Sequence, residues 1–116
     1  MNRIANSKCR SFVVDREPFQ GSNMWGVWVQ TTYADRDHSV YVVFSYGAHF
    51  PMYVYDPDTN QWYANEDKYS RSTTRHQSQA RPDYNGANLT WLNTDNMKQL
   101  ATRGFRGLAE RRVCNG

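Results

Sequence analysis

Hydrophobic and polar positions alternate with a period of two along much of the chain up to residue 65. This alternation is typical of β-strands, and the alternating segments are rich in Val, Tyr, Phe and Trp. We predict strands at residues 11–15, 24–31, 39–46, 50–56 and 61–65. The stretches 35–38 and 56–60 contain turn-forming Asp, Asn and Pro. Because a parallel return needs a connection of a dozen residues or more, loops this short predict a β-meander of four to five antiparallel strands.

The segment 39–46 is apolar on both of its faces. Val40, Val42, Phe44 and Tyr46 share one face, whereas Tyr41, Val43 and Ser45 share the other. A strand of this kind belongs in the middle of a sheet with a layer packed over each face, or it keeps one aromatic face for a partner.

The C-terminal half shows a helical pattern at residues 94–103. Thr94 is a typical N-cap residue, an apolar stripe follows at Met97, Leu100 and Ala101, and Gly104 is a typical stop. We therefore predict an α+β fold with one or two short helices after residue 70. Residues 1–104 form a single domain in this interpretation, and residues 105–116 form a basic C-terminal tail.

Combining the two periods predicts one core built from strand and helix residues. Its members are Trp25, Val27, Val29, Val42, Phe44, Met52, Val54, Trp62, Leu92, Met97 and Leu100.

The segment 70–81 has an unusual composition, since Ala80 is its only apolar residue. Ser70 or Ser72 would begin a helix there and Pro82 would end it. In a helix, Arg71 and Arg75 would share one face with Ser78 or Gln79. A solvated connector between two elements is the alternative interpretation of this run.

Composition and charge bound the class of protein. The chain has 116 residues, a formal net charge of +3 and 15% aromatic residues, and a disordered chain would lack those aromatics. The longest apolar run, Val40 to Phe44, is far shorter than the ~20 residues that span a bilayer. No apolar run follows Met1, so we expect an intracellular protein without a signal peptide. Cys9 and Cys114 form no C-x-x-C pair, and two free thiols are expected.

The sequence shows no convincing metal or catalytic motif. Asp56, Asp58, Asn60 and Asp67 imitate the spacing of a calcium loop, but Gln61 stands where that loop needs Gly, and turn chemistry explains the same residues. His38, His49 and His76 lack metal-ligand spacing. Ser70 or Ser72 could be paired with His76 as nucleophile and base, but Ser and His are common residues and the chain has no Gly-x-Ser-x-Gly elbow. We predict no metal, no cofactor and no enzymatic activity, with His76 in a structural role.

The charge map indicates a binding surface instead. Residues 56–67 hold acids without cations and residues 68–82 hold cations without acids, so mutual pairing is one interpretation. The other is an oxyanion-binding surface, since 11 of the 14 cations are Arg. Its predicted partner-binding residues are Arg71, Arg75, Gln79 and Arg81, with Tyr41, Tyr53, Tyr63 or Trp28 as exposed stacking platforms for a nucleic acid.

Several motifs resemble a family of small proteins encoded by tailed bacteriophages and some plasmids. They are Arg16-Glu17-Pro18-Phe19, the run Ser45-Tyr46-Gly47-Ala48-His49-Phe50-Pro51, Trp62-Tyr63, and the run His76-Gln77-Ser78-Gln79-Ala80-Arg81-Pro82. The family signature continues upstream as Tyr-Ser, an aliphatic residue, two Thr, a small residue and a cation; here Arg71 replaces the aliphatic residue and Ser72 the first Thr. The family has no assigned function, so the resemblance implies a shared origin and fold but no reaction.

Two classes of function follow as hypotheses. The first is a small phage or mobile-element protein that binds and blocks a host protein or nucleoprotein, such as a defence nuclease or a CRISPR effector, in the host bacterial cytoplasm. Small size and richness in Tyr, Trp and Arg favour it, because these residues supply most interface hot spots. The alternative is a direct nucleic-acid-binding protein in phage DNA or RNA metabolism.

Overall fold

The structure, a computed structural model, describes residues 2–33, 36–46, 50–57, 59–67, 71–82 and 89–103. For residues 2, 31–33, 36–38, 71–74, 102 and 103 it describes the backbone only. The predicted tail 105–116 with Cys114, the stop at Gly104, and Asp58, Ser70 and His49 lie outside the described residues, as do the side chains of His38 and Ser72.

Within the described residues, seven strands form one sheet in which the order along the sheet is the order along the chain. The strands are β1 (Asn2–Arg3), β2 (Phe19–Gln20), β3 (Met24–Tyr33), β4 (Arg36–Ser45), β5 (Pro51–Asp56), β6 (Gln61–Asn65) and β7 (Leu89–Leu92). The helices are a 3₁₀ helix (Asn6–Lys8), α1 (Arg10–Val14), α2 (Arg71–Ala80) and α3 (Thr94–Arg103). The α+β class is confirmed, and both predicted helices are present.

The sheet is mixed, so the prediction of an antiparallel meander is wrong at both edges. Strands β2 to β6 pair antiparallel, but β1 pairs parallel with β2 and β6 pairs parallel with β7. Helix α1 lies between the strands of the first parallel pair, and α2 lies between those of the second. A helical crossover is what a parallel return requires. The edge strands have two to four residues, too few to show a period of two.

Four of the five predicted strands are confirmed, and the strand predicted at residues 11–15 is wrong. That segment belongs to α1, where the Val13 N–H donates to the Cys9 carbonyl at 3.0 Å. Val13 is buried and Phe12 packs against the same core. Five residues are too few for periodicity to separate a strand from one helical turn.

Strand β4 is covered on both faces, as its composition predicts. Tyr41 and Val43 pack in a cluster beneath α1 and α2, together with Cys9, Val13, Phe19 and Ala80. Val40, Val42 and Phe44 pack in a second cluster beneath α3, together with Met97 and Leu100. The sheet therefore lies between two helical layers, which we call the α1–α2 face and the α3 face.

The predicted core is divided between these two faces. All its members are buried or packed against a cluster, but Met52 and Trp62 lie on the α1–α2 face and the other members lie on the α3 face. A β-bulge is the cause for Met52: Val43 is opposite Tyr53 and Phe44 is opposite Pro51, so Met52 has no cross-strand partner. The bulge interrupts the alternation and turns Met52 and Tyr53 to one face.

None of the helices in the described part of the chain is long and apolar enough to cross a membrane.

Candidate functional site

The last turn of α2 is held from the α1–α2 face by three side-chain donors. Tyr53 Oη donates to the Gln77 carbonyl at 2.6 Å, Arg10 Nη2 donates to the Ser78 carbonyl at 2.6 Å, and Cys9 Sγ donates to the Gln79 carbonyl at 3.5 Å. The last carbonyls of a helix lack partners within the helix. These three contacts replace the missing partners and attach α2 to both α1 and β5.

Burial raises the pKa of the Cys9 thiol to about 11. The thiol is therefore protonated at neutral pH, as a hydrogen-bond donor must be. Its buried position gives it a structural role rather than a reactive one.

The inner side chains of α2 add further hydrogen bonds. Gln77 Nε2 donates to the Asn65 carbonyl at 3.0 Å and to the Asp67 carbonyl at 3.3 Å. Ala80 and Pro82 are buried at the end of the helix. A helix with so few apolar residues is thus held mainly by hydrogen bonds, and the connector interpretation of this segment is wrong.

His76 occupies the centre of this network, and its neighbours define its tautomer. The Ser22 N–H donates to Asn6 Oδ1 at 2.7 Å and Asn6 Nδ2 donates to the Ser22 carbonyl at 3.0 Å, which fixes the amide of Asn6. Asn6 Nδ2 also lies 3.4 Å from His76 Nε2, and this contact is a hydrogen bond in the tautomer whose Nε2 accepts. The proton of His76 is then on Nδ1, which donates to Ser45 Oγ at 2.8 Å.

This tautomer has a chemical consequence for the Ser45–His76 pair. The ring nitrogen that faces Ser45 already carries a proton, so it cannot accept the hydroxyl proton as a general base would. Burial lowers the pKa of His76, and the charge of Arg75 lowers it further. The arrangement supports a structural role for His76.

Two cavities lie on either side of the C-terminal half of α2. The first, the α1–α2 cleft, has a volume of about 660 Å³ and is lined by Ser7, Lys8, Arg10, Ser11, Ser78 and Gln79. The second, the Arg81–Trp91 pocket, has a volume of about 200 Å³ and is lined by Tyr53, Asn65, Glu66, Gln77, Ser78, Arg81 and Trp91. Ser78 lines both, so the segment that the sequence singles out by its polarity separates the two cavities.

The Arg81–Trp91 pocket contains an exposed cation–π pair. The guanidinium Cζ of Arg81 lies 5.8 Å from the ring centroid of Trp91. Trp91 is 47% exposed, although it is among the largest apolar side chains of the protein. Arg81 and Glu66 are exposed as well, so the pocket presents an aromatic ring together with groups of opposite charge.

Of the residues predicted to bind a partner, the described cations are exposed, whereas the tyrosines are buried. Arg75 and Arg81 are exposed, Gln79 is half-buried in the wall of the α1–α2 cleft, and the side chain of Arg71 lies outside the described part of the structure. The predicted stacking platforms are wrong, with the exception of Trp28, which is 42% exposed: Tyr41, Tyr53 and Tyr63 are 0%, 2% and 3% exposed.

The buried tyrosines serve the fold. Tyr41 Oη donates to the Glu17 carbonyl at 2.6 Å and Tyr53 Oη holds α2, whereas Tyr63 packs in the cluster beneath α3. Sequence reasoning missed Trp91, Lys8 and Arg10 as lining residues. No local signal marks them, because the crossovers at the two edges of the sheet bring them to α2.

The described residues with calcium-loop spacing, Asp56, Asn60 and Asp67, are part of the packed fold. Asp67 Oδ2 accepts hydrogen bonds from the backbone N–H and the hydroxyl of Thr94, each at 2.8 Å, at the start of α3. These bonds lower the pKa of Asp67. Tyr55 donates to Asn60, and Asp56 is buried. Among the described residues, no group of three or more His, Cys, Asp or Glu side chains is placed to hold a metal ion.

Comparison with known proteins provides no further constraint on this site. No protein-family model, no curated protein and no solved structure matches the chain. The resemblance to phage-encoded proteins therefore stays a prediction, and the function has to be inferred from the geometry of the two cavities.

Proposed function

We propose that the protein is a binding protein, encoded by a phage or another mobile element, that docks on a host protein or nucleoprotein and blocks it. The observation that carries this proposal is the exposed Arg81–Trp91 pair at the edge of the sheet. We assign the docking surface to this pair, with Arg75 on α2 and Glu66 in the pocket wall. Arg71 belongs to this proposal by its sequence position only.

The chemistry of the pair suits an interface hot spot. Trp and Arg are enriched among the residues that dominate binding energy, since a Trp ring buries a large area and Arg makes several hydrogen bonds. A cation–π contact contributes about 0.5–1 kcal/mol when exposed and about 2 kcal/mol when a partner removes its water. Arg81 already lies over Trp91, which reduces the side-chain entropy lost on docking.

The rigid attachment of α2 makes it a good platform for docking. Its carbonyls and its inner side chains are engaged by β5, β6 and α1, as described above. Arg75 points outward and is exposed. Substitution of Arg75 by Ala should then weaken binding while changing the free energy of unfolding by less than about 0.5 kcal/mol.

Two observations favour a protein surface over direct nucleic-acid binding. The carboxylate of Glu66 lines the same pocket as Arg81, and it would repel a phosphate backbone. Three of the four predicted stacking platforms are buried, and bases of a single strand stack only on aromatic rings that they can reach. The tautomer of His76 also supports a binding role over catalysis by the Ser45–His76 pair.

The test is affinity capture from a bacterial lysate with the tagged full-length protein, with and without nuclease. We expect Trp91→Ala and Arg81→Ala to lose a captured host protein that Trp28→Ala retains, with all three variants folded by circular dichroism. Trp28 is the matched control because it is similarly exposed but lies on β3, with its Nε1 bound to the Arg16 carbonyl at 3.0 Å. The purified host protein should then bind the wild type directly and lose its own activity on binding.

Two outcomes would overturn the proposal. One is capture that Trp91→Ala leaves unchanged. The other is capture that nuclease abolishes, combined with an affinity for nucleic acid that falls by about tenfold or more between 50 and 200 mM salt. The second outcome would establish the direct nucleic-acid-binding alternative.

A further inference from the structure

We infer that the α1–α2 cleft binds the phosphate of a nucleotide-sized ligand. Its lining supplies the donors that a phosphate needs: the cations of Lys8 and Arg10, three serine hydroxyls and the amide of Gln79. No carboxylate is among the described residues that line it. The Arg81–Trp91 pocket differs in this respect, because Glu66 lies in its wall.

The positive charge of the cleft is held in place by the fold. Arg10 is half-buried, and its bond to the Ser78 carbonyl draws the guanidinium across the gap between α1 and α2. Its charge also acts on the neighbouring Cys9 thiol, whose pKa it lowers against the larger effect of burial. Lys8 is exposed at the mouth, where an ammonium contacts an entering anion without a desolvation penalty on the free protein.

The C-terminal end of α2, beside the cleft, repels an anion less than a helix end with unpaired carbonyls would. The partial negative charge of a helix C-terminus resides on its unpaired carbonyls. In α2, the carbonyls of Gln77, Ser78 and Gln79 all accept hydrogen bonds from Tyr53, Arg10 and Cys9. These three carbonyls are therefore already engaged as acceptors.

The cleft has room for a ligand larger than a phosphate. A volume of about 660 Å³ falls within the range of small-molecule sites and exceeds what one inorganic phosphate fills. Gln79 offers a second recognition element, because its Oε1 is buried and has no hydrogen-bond partner among the described residues. A hydroxyl or amino group of a nucleotide would supply the donor that this acceptor lacks, once the half-buried amide turns toward the cleft.

This site is independent of the proposed docking surface, since apart from Ser78 it uses different residues. Trp91→Ala should leave it intact, and the two proposals can fail separately.

The experiment is a titration of the full-length protein with ATP at low salt, followed by amide chemical shifts. We expect saturable shifts confined to residues 7–11 and 78–79, which inorganic phosphate reverses by competition. Lys8→Gln should weaken binding by about threefold or more, as expected for loss of one exposed charge contact. Lys98→Gln is the matched control, because Lys98 is also exposed but lies on α3, on the opposite face of the sheet. Ser11→Asp should abolish binding, and a carboxylate in the first turn of α1 is compatible with the helix.

Adenosine and a short oligothymidylate complete the test. Shifts of the same residues by the oligothymidylate would support the phosphate site and assign its ligand to a nucleic-acid strand. Binding of adenosine as tightly as ATP would overturn the inference, because the phosphate would then contribute nothing. Equal weakening by Lys8→Gln and Lys98→Gln, or no shift at about 10 mM ATP, would overturn it as well.

Discussion

Gly26 provides the sharpest test of how the first crossover is attached to the sheet. It lies opposite Phe19 in the pairing of β2 with β3, and the Phe19 ring covers the space that a side chain would fill. A Cβ added at Gly26 would overlap Tyr41 Oη and would lie 2.6 Å from one ring carbon of Phe19 and 2.9 Å from another. Phe19 and Tyr41 are both fully buried, so neither ring can move into solvent.

The magnitude follows from three terms. Overpacking a buried site costs about 1–3 kcal/mol. Displacing Tyr41 Oη also weakens its bond to the Glu17 carbonyl, worth about 1 kcal/mol. Replacing Gly by Ala within a strand returns about 0.5–1 kcal/mol through the smaller loss of backbone entropy. Steric overlap therefore wins, and we expect Gly26→Ala to lower the free energy of unfolding by about 2 kcal/mol.

A double-mutant cycle in urea identifies the cause. In the Tyr41→Phe background the nearest clash is absent, so Gly26→Ala should cost about 1 kcal/mol less than in the wild type. Gln30→Ala, on the same strand but exposed, should change stability by less than about 0.5 kcal/mol. A stabilising Gly26→Ala, or a cost that is the same in both backgrounds, would refute the packing of Phe19 and Tyr41 over Gly26.

Three further predictions concern the core and the attachment of α2. Phe44→Ala should lower the free energy of unfolding by about 3 kcal/mol in urea, because Phe44 is 7% exposed and packs against Trp25; a change below about 0.5 kcal/mol would contradict its burial. Tyr53→Phe should lower the free energy of unfolding by about 1–1.5 kcal/mol, because the Gln77 carbonyl loses its hydrogen bond. The matched control Tyr46→Phe, at an exposed tyrosine, should not have this effect. Equal changes in the two variants would exclude the role of the Tyr53 hydroxyl. The folded state lowers the pKa of His76, so its contribution is complete above the ordinary value of about 6.5 and is lost as the pH falls through the lower, folded pKa. Below about pH 6.5 the melting temperature of the wild type should therefore fall more steeply with decreasing pH than that of His76→Gln. Parallel curves for the two proteins would show that His76 is not buried in its neutral form.

Local pattern was sufficient for the elements whose signal spans enough residues. The alternation in β3, β4, β5 and β6 and the stripe of α3 are properties of neighbouring residues, and they specify a strand or a helix wherever the chain folds. The two apolar faces of β4 indicated either a layer on each side of the sheet or one face kept for a partner, and the structure has the layer on each side. The same reasoning failed for α1, which has a single turn, and for β1, β2 and β7, which have two to four residues.

At the candidate site, too, the sequence pattern predicted some features and not others. The polarity of residues 70–81 left a short helix and a solvated connector open, and it indicated that side-chain hydrogen bonds would have to hold any helix there, because burial could not. The exposed cations Arg75, on α2, and Arg81, directly after it, follow from that composition. The burial of Tyr41, Tyr53 and Tyr63 does not, since a tyrosine fits a core as well as a surface when its hydroxyl finds an acceptor.

The sequence by itself thus determined the central strands, the helix α3 and the polar character of the segment that forms α2. Only the tertiary structure decided the rest. The Arg10–Ser78 contact joins residues 68 positions apart, and the Cys9–Gln79 contact joins residues 70 positions apart. Two parallel crossovers bring these partners together over one face of the sheet. The cavities on either side of α2 exist because of that long-range pairing, and no local periodicity encodes a contact between segments so distant along the chain.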